Sequence, residues 1–122
     1  MEAGCNIDMK DHKVNGGLVK VINVSGFLDA HSFPEIEKAL NTVVDKGSYH
    51  LVLNLGGLDY ISSAGLGVLI GVAKKVREKK GDLKLSQLPE KIYRIVNLLG
   101  FSRILDIFNT DEEALSAFKD RG

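Results

Sequence analysis

The sequence is poor in cysteine, in net charge and in long apolar runs. Its 122 residues include one cysteine, Cys5, so no intrachain disulfide can form, which fits a reducing compartment. Lys plus Arg and Asp plus Glu both number 16, and this zero formal net charge gives no support for binding to nucleic acid or to a membrane surface. No apolar run approaches the roughly 20 residues of a membrane span, and no signal peptide is visible. We therefore expect a cytoplasmic protein.

The residue combinations that build metal sites and hydrolase sites are also missing. His12, His31 and His50 have no short ligand spacing, and a single cysteine cannot make a zinc site. All three histidines precede Ser63, whereas an α/β-hydrolase needs a histidine after its nucleophile, and its Gly-x-Ser-x-Gly motif would place glycine where Ile61 stands. No Walker A motif is present. We expect no catalytic residue, no metal, no cofactor and no enzymatic activity.

A β-hairpin followed by alternating helices and strands is predicted by the apolar pattern and the turn signals. Two extended segments, 7–13 and 18–24, flank Asn15-Gly16, which is a strong hairpin turn signal. The predicted helices then begin near residues 32, 64, 89 and 110, and the further predicted strands span 49–55, 83–86 and 104–108. Such alternation implies parallel strands. We expect a single α/β domain over residues 1–122, with a mixed sheet of four or five strands, an N-terminal β-hairpin and about four packed helices.

Several helix ends carry capping signals. Ser32 with Glu35, and Thr110 with Glu113, each have the spacing of a capping box. A glycine after each apolar stripe predicts where the first three helices end, at Gly47, Gly81 and Gly100.

The junction of the strand 49–55 with the next helix contains two adjacent serines, Ser62 and Ser63. Backbone N–H groups at a helix start lack internal partners and the helix dipole is positive there, so a phosphate would be favoured. Serine is also a preferred N-cap, worth about 1 kcal/mol over alanine. One serine suffices for capping, and both interpretations stay open for the pair. Gly67 and Gly71 further along predict either close packing on the sheet or a flat face for a partner.

These residues resemble a known family. The segment Leu51-Val52-Leu53-Asn54-Leu55, then Leu58, then Ser63-x-Gly65-Leu66-Gly67-Val68 is similar to the signature of STAS domains of the anti-sigma factor antagonist type. The stretch Ser25-Gly26-Phe27-Leu28-Asp29 resembles the Gly-x-Leu-Asp element that follows the hairpin in that family. The resemblance covers nearly the whole chain.

The resemblance implies a partner-switching regulator of transcription. An unphosphorylated antagonist binds an anti-sigma factor that is also a serine kinase of the GHKL type, and this binding frees the sigma factor. The kinase phosphorylates the serine that corresponds to Ser63, the complex separates, and a PP2C-type phosphatase resets the system. The aspartate that corresponds to Asp29 lies near the serine and is associated with kinase and nucleotide contacts. Many members have aspartate where Ser62 stands, which makes Ser62 an alternative acceptor.

The expected partner-binding surface is the serine turn, the start of the following helix and the loop after the second strand, with the residues Asp29, Ser62, Ser63, Ala64, Gly65, Leu66 and Gly67. Two other functions stay open: a STAS module of a different partner-switching circuit, and a scaffold subunit of a transport complex.

Overall fold

A five-stranded mixed sheet and four α-helices make up the structure, a computed structural model that describes residues 4–14 and 17–119. The strands are β1 (Cys5–Val14), β2 (Gly17–Leu28), β3 (His50–Ile61), β4 (Asp82–Ser86) and β5 (Asp106–Phe108). The helices are α1 (Phe33–Asp45), α2 (Ser63–Glu78), α3 (Glu90–Leu98) and α4 (Asp111–Lys119), with a short 3₁₀ turn at Phe101–Arg103. The predicted hairpin turn at Asn15-Gly16 lies outside the described residues.

The strands follow one another across the sheet in chain order, from β1 to β5. The strand β1 runs antiparallel to β2, and β2 to β5 are parallel, so the predicted α/β class, hairpin and parallel crossovers are confirmed. Because β2 to β5 are parallel, their carboxyl ends meet at one edge of the sheet.

The two faces of the sheet are covered unequally. Apolar residues of α1, α2 and α3 share one continuous core with alternate residues of the strands. The other face packs on α4 through a smaller cluster of Val19, Val21, Val52, Ala114 and Phe118. No helix within residues 4–14 and 17–119 is long and apolar enough to cross a membrane.

The strand β3 is longer than predicted, because Gly56-Gly57 does not end it. The pairing with β2 shifts register between Asn23 and Ser25 and again between Gly26 and Phe27, and it ends with Leu28 opposite Ile61. A side chain at Gly57 would place its Cβ 2.7 Å from the Ser25 Cβ, so glycine allows this close approach. Since β4 pairs only with the first part of β3, the ends of β2 and β3 project beyond the rest of the parallel sheet.

The predicted capping box of α1 is wrong. The Ser32 side chain makes no capping hydrogen bond to α1; its hydroxyl donates to the Phe27 carbonyl and accepts from the Asp29 N–H at 3.0 Å. Asp29 instead accepts from the backbone of this turn, and the loop is thereby tied to the end of β2. The predicted helix end at Gly47 is confirmed by its φ of 97°.

The end of α2 also differs from the prediction. The helix stops at Glu78, and Lys80 takes the left-handed conformation with φ 65° that was expected of Gly81. Gly81 is required for a different reason, because a Cβ there would lie 1.9 Å from the Tyr49 carbonyl oxygen.

The start of α4 is fixed by its cap and by two strand ends. The Glu113 N–H donates to the Thr110 hydroxyl at 3.1 Å, one of the two hydrogen bonds of the predicted capping box, while the Glu113 carboxylate accepts from the Asn109 N–H at 3.0 Å in place of the Thr110 N–H. The Asp111 carboxylate accepts from the Ser86 hydroxyl at 2.6 Å and from the Asn54 amide at 3.1 Å. These contacts hold the helix against β3 and β4.

A buried lysine lies between the sheet and α4. Lys84 is 2% exposed, with its Nζ 3.0 Å from Asp82 Oδ2, 3.1 Å from Asp106 Oδ2 and 4.9 Å from the centroid of the Phe118 ring. Arg77 Nε donates to Asp82 Oδ1 at 2.8 Å. Burial by itself would raise the pKa of Asp82, but the hydrogen bonds from Arg77 and Lys84 and the charge of Lys84 outweigh it and lower the pKa below its ordinary value.

Candidate functional site

The ends of β2 and β3 bring the predicted site residues to one edge of the sheet. Leu28 pairs with Ile61, and the Ser62 N–H donates to the Leu28 carbonyl at 2.9 Å. Asp29 directly follows Leu28, and Ser63 directly follows Ser62. The predicted neighbourhood of the aspartate loop and the serine turn therefore follows from the backbone itself. The carboxyl edge of parallel strands is also where α/β proteins place their functional residues.

The two serines have different surroundings. Ser62 is the N-cap of α2, extended at φ −101° and ψ 168°, and its hydroxyl oxygen accepts from the Gly65 N–H at 3.2 Å. Ser63 is the first helical residue and is exposed. Its hydroxyl makes no hydrogen bond to any residue in 4–14 or 17–119. Capping is thus performed by Ser62, and the structure gives the Ser63 hydroxyl no task in holding the fold.

The first turn of α2 differs in charge from the first turns of the other three α-helices. The helices α1, α3 and α4 each carry at least one acidic residue in the first turn, at Glu35, at Glu90 and at Asp111. The helix α2 carries none. A negative group at Ser63 would therefore meet the positive end of a helix dipole that no acidic side chain of its own first turn offsets.

The Asp29 carboxylate is held by its own loop. Its Oδ1 accepts from the His31 N–H at 2.9 Å and from the Ser32 N–H at 3.1 Å. These two hydrogen bonds, the His31 bond first, lower the pKa of Asp29 below its ordinary value. The carboxylate is therefore held in place by the turn that directly follows β2 and stays ionised to a lower pH than an ordinary aspartate.

The remaining predicted residues divide into a buried and an accessible group. Leu66 is fully buried in the main core, and Gly65 is buried against the end of β2, where a Cβ would lie 2.7 Å from Leu28 Cγ. Ala64 is half-buried and Gly67 is exposed. Gly65 and Leu66 therefore shape the turn, while the surface that a partner could touch lies at its accessible neighbours.

The packing interpretation of Gly67 and Gly71 is wrong. Both glycines are exposed, and a Cβ added to either would have no neighbouring atom within 4 Å. At a spacing of four residues, Ser63, Gly67 and Gly71 follow one another along one exposed side of α2. The sheet does not require these glycines, and they leave a flat helical surface beside the serine.

Two exposed aromatic residues adjoin the site and were missed in the sequence. Phe27 is 40% exposed, Tyr60 is 44% exposed, and the two are paired across β2 and β3. Their strand neighbours Leu28 and Ile61 point into the main core, so the aromatic side chains lie on the opposite face. The sequence signal was a pair of adjacent apolar residues at each place, Phe27-Leu28 and Tyr60-Ile61. Once the two strands are extended to Leu28 and Ile61, one residue of each pair faces the core and the other faces away from it.

Within the described ranges, no group of three or more His, Cys, Asp or Glu side chains is arranged to hold a metal ion. The chemistry that this edge offers is that of an exposed hydroxyl at a helix start, a fixed carboxylate and an aromatic pair. Such a combination suits modification and protein contact.

Comparison with known proteins identifies a family that matches most of the chain. The family described as STAS domain matches residues 9–114. The chain is similar to the putative anti-sigma factor antagonist BtrV of Bordetella bronchiseptica, with 38% identity over 88% of this chain and 90% of the relative. It is also similar to the anti-sigma-B factor antagonist of Listeria monocytogenes, with 33% identity over 75% of this chain and 81% of the relative.

Solved structures share the fold. An anti-sigma factor antagonist from Mycobacterium paratuberculosis superposes with a TM-score of 0.77 at 26% identity, covering 92% of this chain and 93% of that one. The Bacillus cell fate determinant SpoIIAA in its phosphorylated form superposes with a TM-score of 0.66 at 20% identity, covering 91% and 99%. The second likeness concerns the fold alone.

Proposed function

Since the chain belongs to the STAS domain family, in the branch of the anti-sigma factor antagonists, we propose that it is a non-enzymatic cytoplasmic switch controlled by phosphorylation of Ser63. The unmodified chain binds an anti-sigma factor that is also a serine kinase of the GHKL type, and the sigma factor is released. Phosphorylation of Ser63 ends the complex, and a PP2C-type phosphatase restores it. This proposal rests on the different surroundings of the two serines, since Ser62 caps the helix and Ser63 is exposed.

Phosphate at Ser63 is compatible with the folded domain. A phosphoserine carries about −1.5 to −2 charges at neutral pH. At the start of α2, which has no acidic residue in its first turn, this charge gains about 0.3–1 kcal/mol from the helix dipole. The exposed hydroxyl also has no hydrogen bond to lose within residues 4–14 and 17–119. Phosphorylation should leave the free energy of unfolding unchanged or slightly higher.

The same charge is not compatible with a partner that covers the turn. A phosphate buried in an interface without a compensating cation costs several kcal/mol. Because about 1.4 kcal/mol changes an affinity tenfold, this penalty separates a micromolar complex. The modification therefore acts on the complex and spares the fold.

Ser62 is the less suitable acceptor. It is half-buried, and its hydroxyl oxygen already accepts from the Gly65 N–H. A kinase would have to draw this side chain away from its cap, which is worth about 1 kcal/mol, before transferring phosphate to it. Ser63 needs no such rearrangement.

The proposed partner surface combines a part around the proposed phosphorylation site and an aromatic part. The first part contains Asp29, Ser63 and the flat side of α2 at Gly67. The second contains Phe27 and Tyr60, which are exposed residues of the kind that anchors protein interfaces. Gly65 and Leu66 support this surface from below.

The test is affinity capture from the native cells with wild-type chain and with Ser63→Glu as baits, followed by site-resolved phosphopeptide mass spectrometry. We expect a GHKL-type kinase on the wild-type bait, at least about tenfold less of it on Ser63→Glu, and phosphate on Ser63. Ser62→Ala is the matched control, and it should still be phosphorylated. Phosphate on Ser62 alone, or capture of membrane transport subunits without any phosphorylation, would contradict the proposal.

A further inference from the structure

The outer edge of β1 is a long strand edge without a partner. The strand spans the ten residues Cys5–Val14 and pairs with β2 on one side only. Within the described part of the chain, no other strand lies beside it. An edge of this length offers a row of free backbone N–H and C=O groups that can pair with a strand of another molecule.

The exposed charges of β1 restrict how a second copy could pair there. Two identical strands that extend one sheet antiparallel are related by a two-fold axis perpendicular to the sheet, which passes through or beside one central residue. Centring on Asp8 places Asp8 opposite its own copy, and centring on Lys10 does the same for Lys10. Centring on Met9 places Asp8 of each chain opposite Lys10 of the other. Opposite charges in directly facing positions stabilise a strand pair, and like charges destabilise it.

The face of β1 toward α1 borders a groove of mixed lining. Ile7 and Met9 pack against the main core, are half-buried and line this groove of about 770 Å³ together with Ala39 and Val43, and charged residues such as Lys38 complete the lining. A second β1 centred on Met9 would bring its own Met9 and Ile7 to this side of the extended sheet. The register that matches the charges thus places the two Met9 side chains face to face beside the groove, with Ile7 of each chain opposite Asp11 of the other.

We propose that the chain self-associates through β1, as an antiparallel strand pair centred on Met9, with two reciprocal contacts between Asp8 and Lys10. The two sheets become one continuous sheet across the two-fold axis. The serine turn follows the carboxyl ends of β2 and β3 and is not part of this edge, so the proposal stands independently of phosphorylation and of the anti-sigma factor.

Charge exchange at Asp8 and Lys10 tests this register directly. Both side chains are exposed, so Asp8→Lys and Lys10→Asp should leave thermal unfolding close to that of the wild type. Each single variant turns both contacts into like-charge pairs, and its dimer dissociation constant by sedimentation velocity should rise by about tenfold or more. A mixture of the two single variants restores both opposite-charge contacts and should form a heterodimer. The double variant Asp8→Lys with Lys10→Asp should dimerise like the wild type.

The control variant is Lys91→Glu, which reverses an exposed charge on α3. In the chain this helix connects β4 to β5, the strand at the opposite edge of the sheet. It should dimerise like the wild type. A wild-type chain that stays monomeric up to roughly millimolar concentration would overturn the proposal. So would a dimer that the two single variants leave intact, or a mixture of these variants that remains monomeric.

Discussion

Three glycines of one helix provide a sharp test of what the start of α2 is for. A Cβ at Gly67 meets no atom within 4 Å, so Gly67→Ala should gain the helix propensity of alanine, about 0.5–1 kcal/mol of unfolding free energy. Gly71 has the same open surroundings, and Gly71→Ala should behave alike. In a domain of this size that gain corresponds to a rise in Tm of about 2–6 °C.

Gly65→Ala should have the opposite sign. Its Cβ would lie 2.7 Å from Leu28 Cγ and 3.0 Å from the Leu28 carbonyl oxygen, which also accepts the hydrogen bond from the Ser62 N–H. The backbone of the turn has to move, and we expect a loss of about 1–3 kcal/mol, as for other overpacked positions. Urea unfolding of the three variants, compared at equal m-values, measures both signs in one series.

The affinity of Gly67→Ala for the partner tests whether this side of α2 is used in binding. If the flat side of α2 contacts the anti-sigma factor, Gly67→Ala should weaken that complex although it stabilises the free chain. A side chain on a surface that is not used would leave the affinity unchanged. A lower unfolding free energy for Gly67→Ala would show that the space around Gly67 is not open. A stabilised variant that binds as tightly as the wild type would show that the flat side of α2 is not in the interface.

Three further predictions concern the cap, the aromatic pair and the buried carboxylate. Ser62→Ala should lower the unfolding free energy by about 1 kcal/mol while Ser63→Ala changes it by less than about 0.5 kcal/mol, as measured by urea unfolding. Phe27→Ser should weaken partner binding in calorimetry by about tenfold or more, whereas Leu18→Ser, a change at an even more exposed apolar residue at the other end of β2, should not. Because the folded pKa of Asp82 is lowered, its stabilisation is present above the ordinary value of 3.8 and is lost as the pH falls through the lowered pKa. Asp82→Asn should therefore be destabilised near neutral pH, and its difference from the wild type should narrow below pH 3.8 in unfolding curves measured across that range.

The order of elements was predictable because the apolar periodicity is regular wherever an element is covered by the core. The strand Asp82–Ser86 illustrates the limit of that rule. Leu83 and Leu85 show the alternation of a half-buried strand, but the burial of Lys84 cannot be derived from its residue type. Its burial depends on Asp82 and Asp106, which only the folded sheet brings within 3.1 Å of its ammonium group.

The two errors at the site edge share a physical cause, which is that hydrogen bonds from outside the predicted element override the local sequence signal. Ser32 has the spacing of a capping box, yet its hydroxyl serves the Phe27 carbonyl and the Asp29 N–H, because the loop must be tied to the end of β2. The Gly56-Gly57 pair has the composition of a turn, yet the neighbouring strand supplies enough pairing to carry β3 past it. In both cases a hydrogen-bond partner outside the predicted helix or strand, which the sequence pattern does not locate, decides the outcome.

The serine at position 62 can be understood from the geometry of the cap. Aspartate, which many family members are expected to carry there, and serine are comparable N-caps, since either oxygen can accept from the N–H that Gly65 donates here. Serine in place of aspartate at position 62 therefore preserves the start of α2. It also removes a negative charge next to Ser63, and like charges so close would oppose a phosphate at that position. A serine cap leaves the positive end of the helix free for the phosphate, and so the residue that holds the turn also favours the modification proposed for its neighbour.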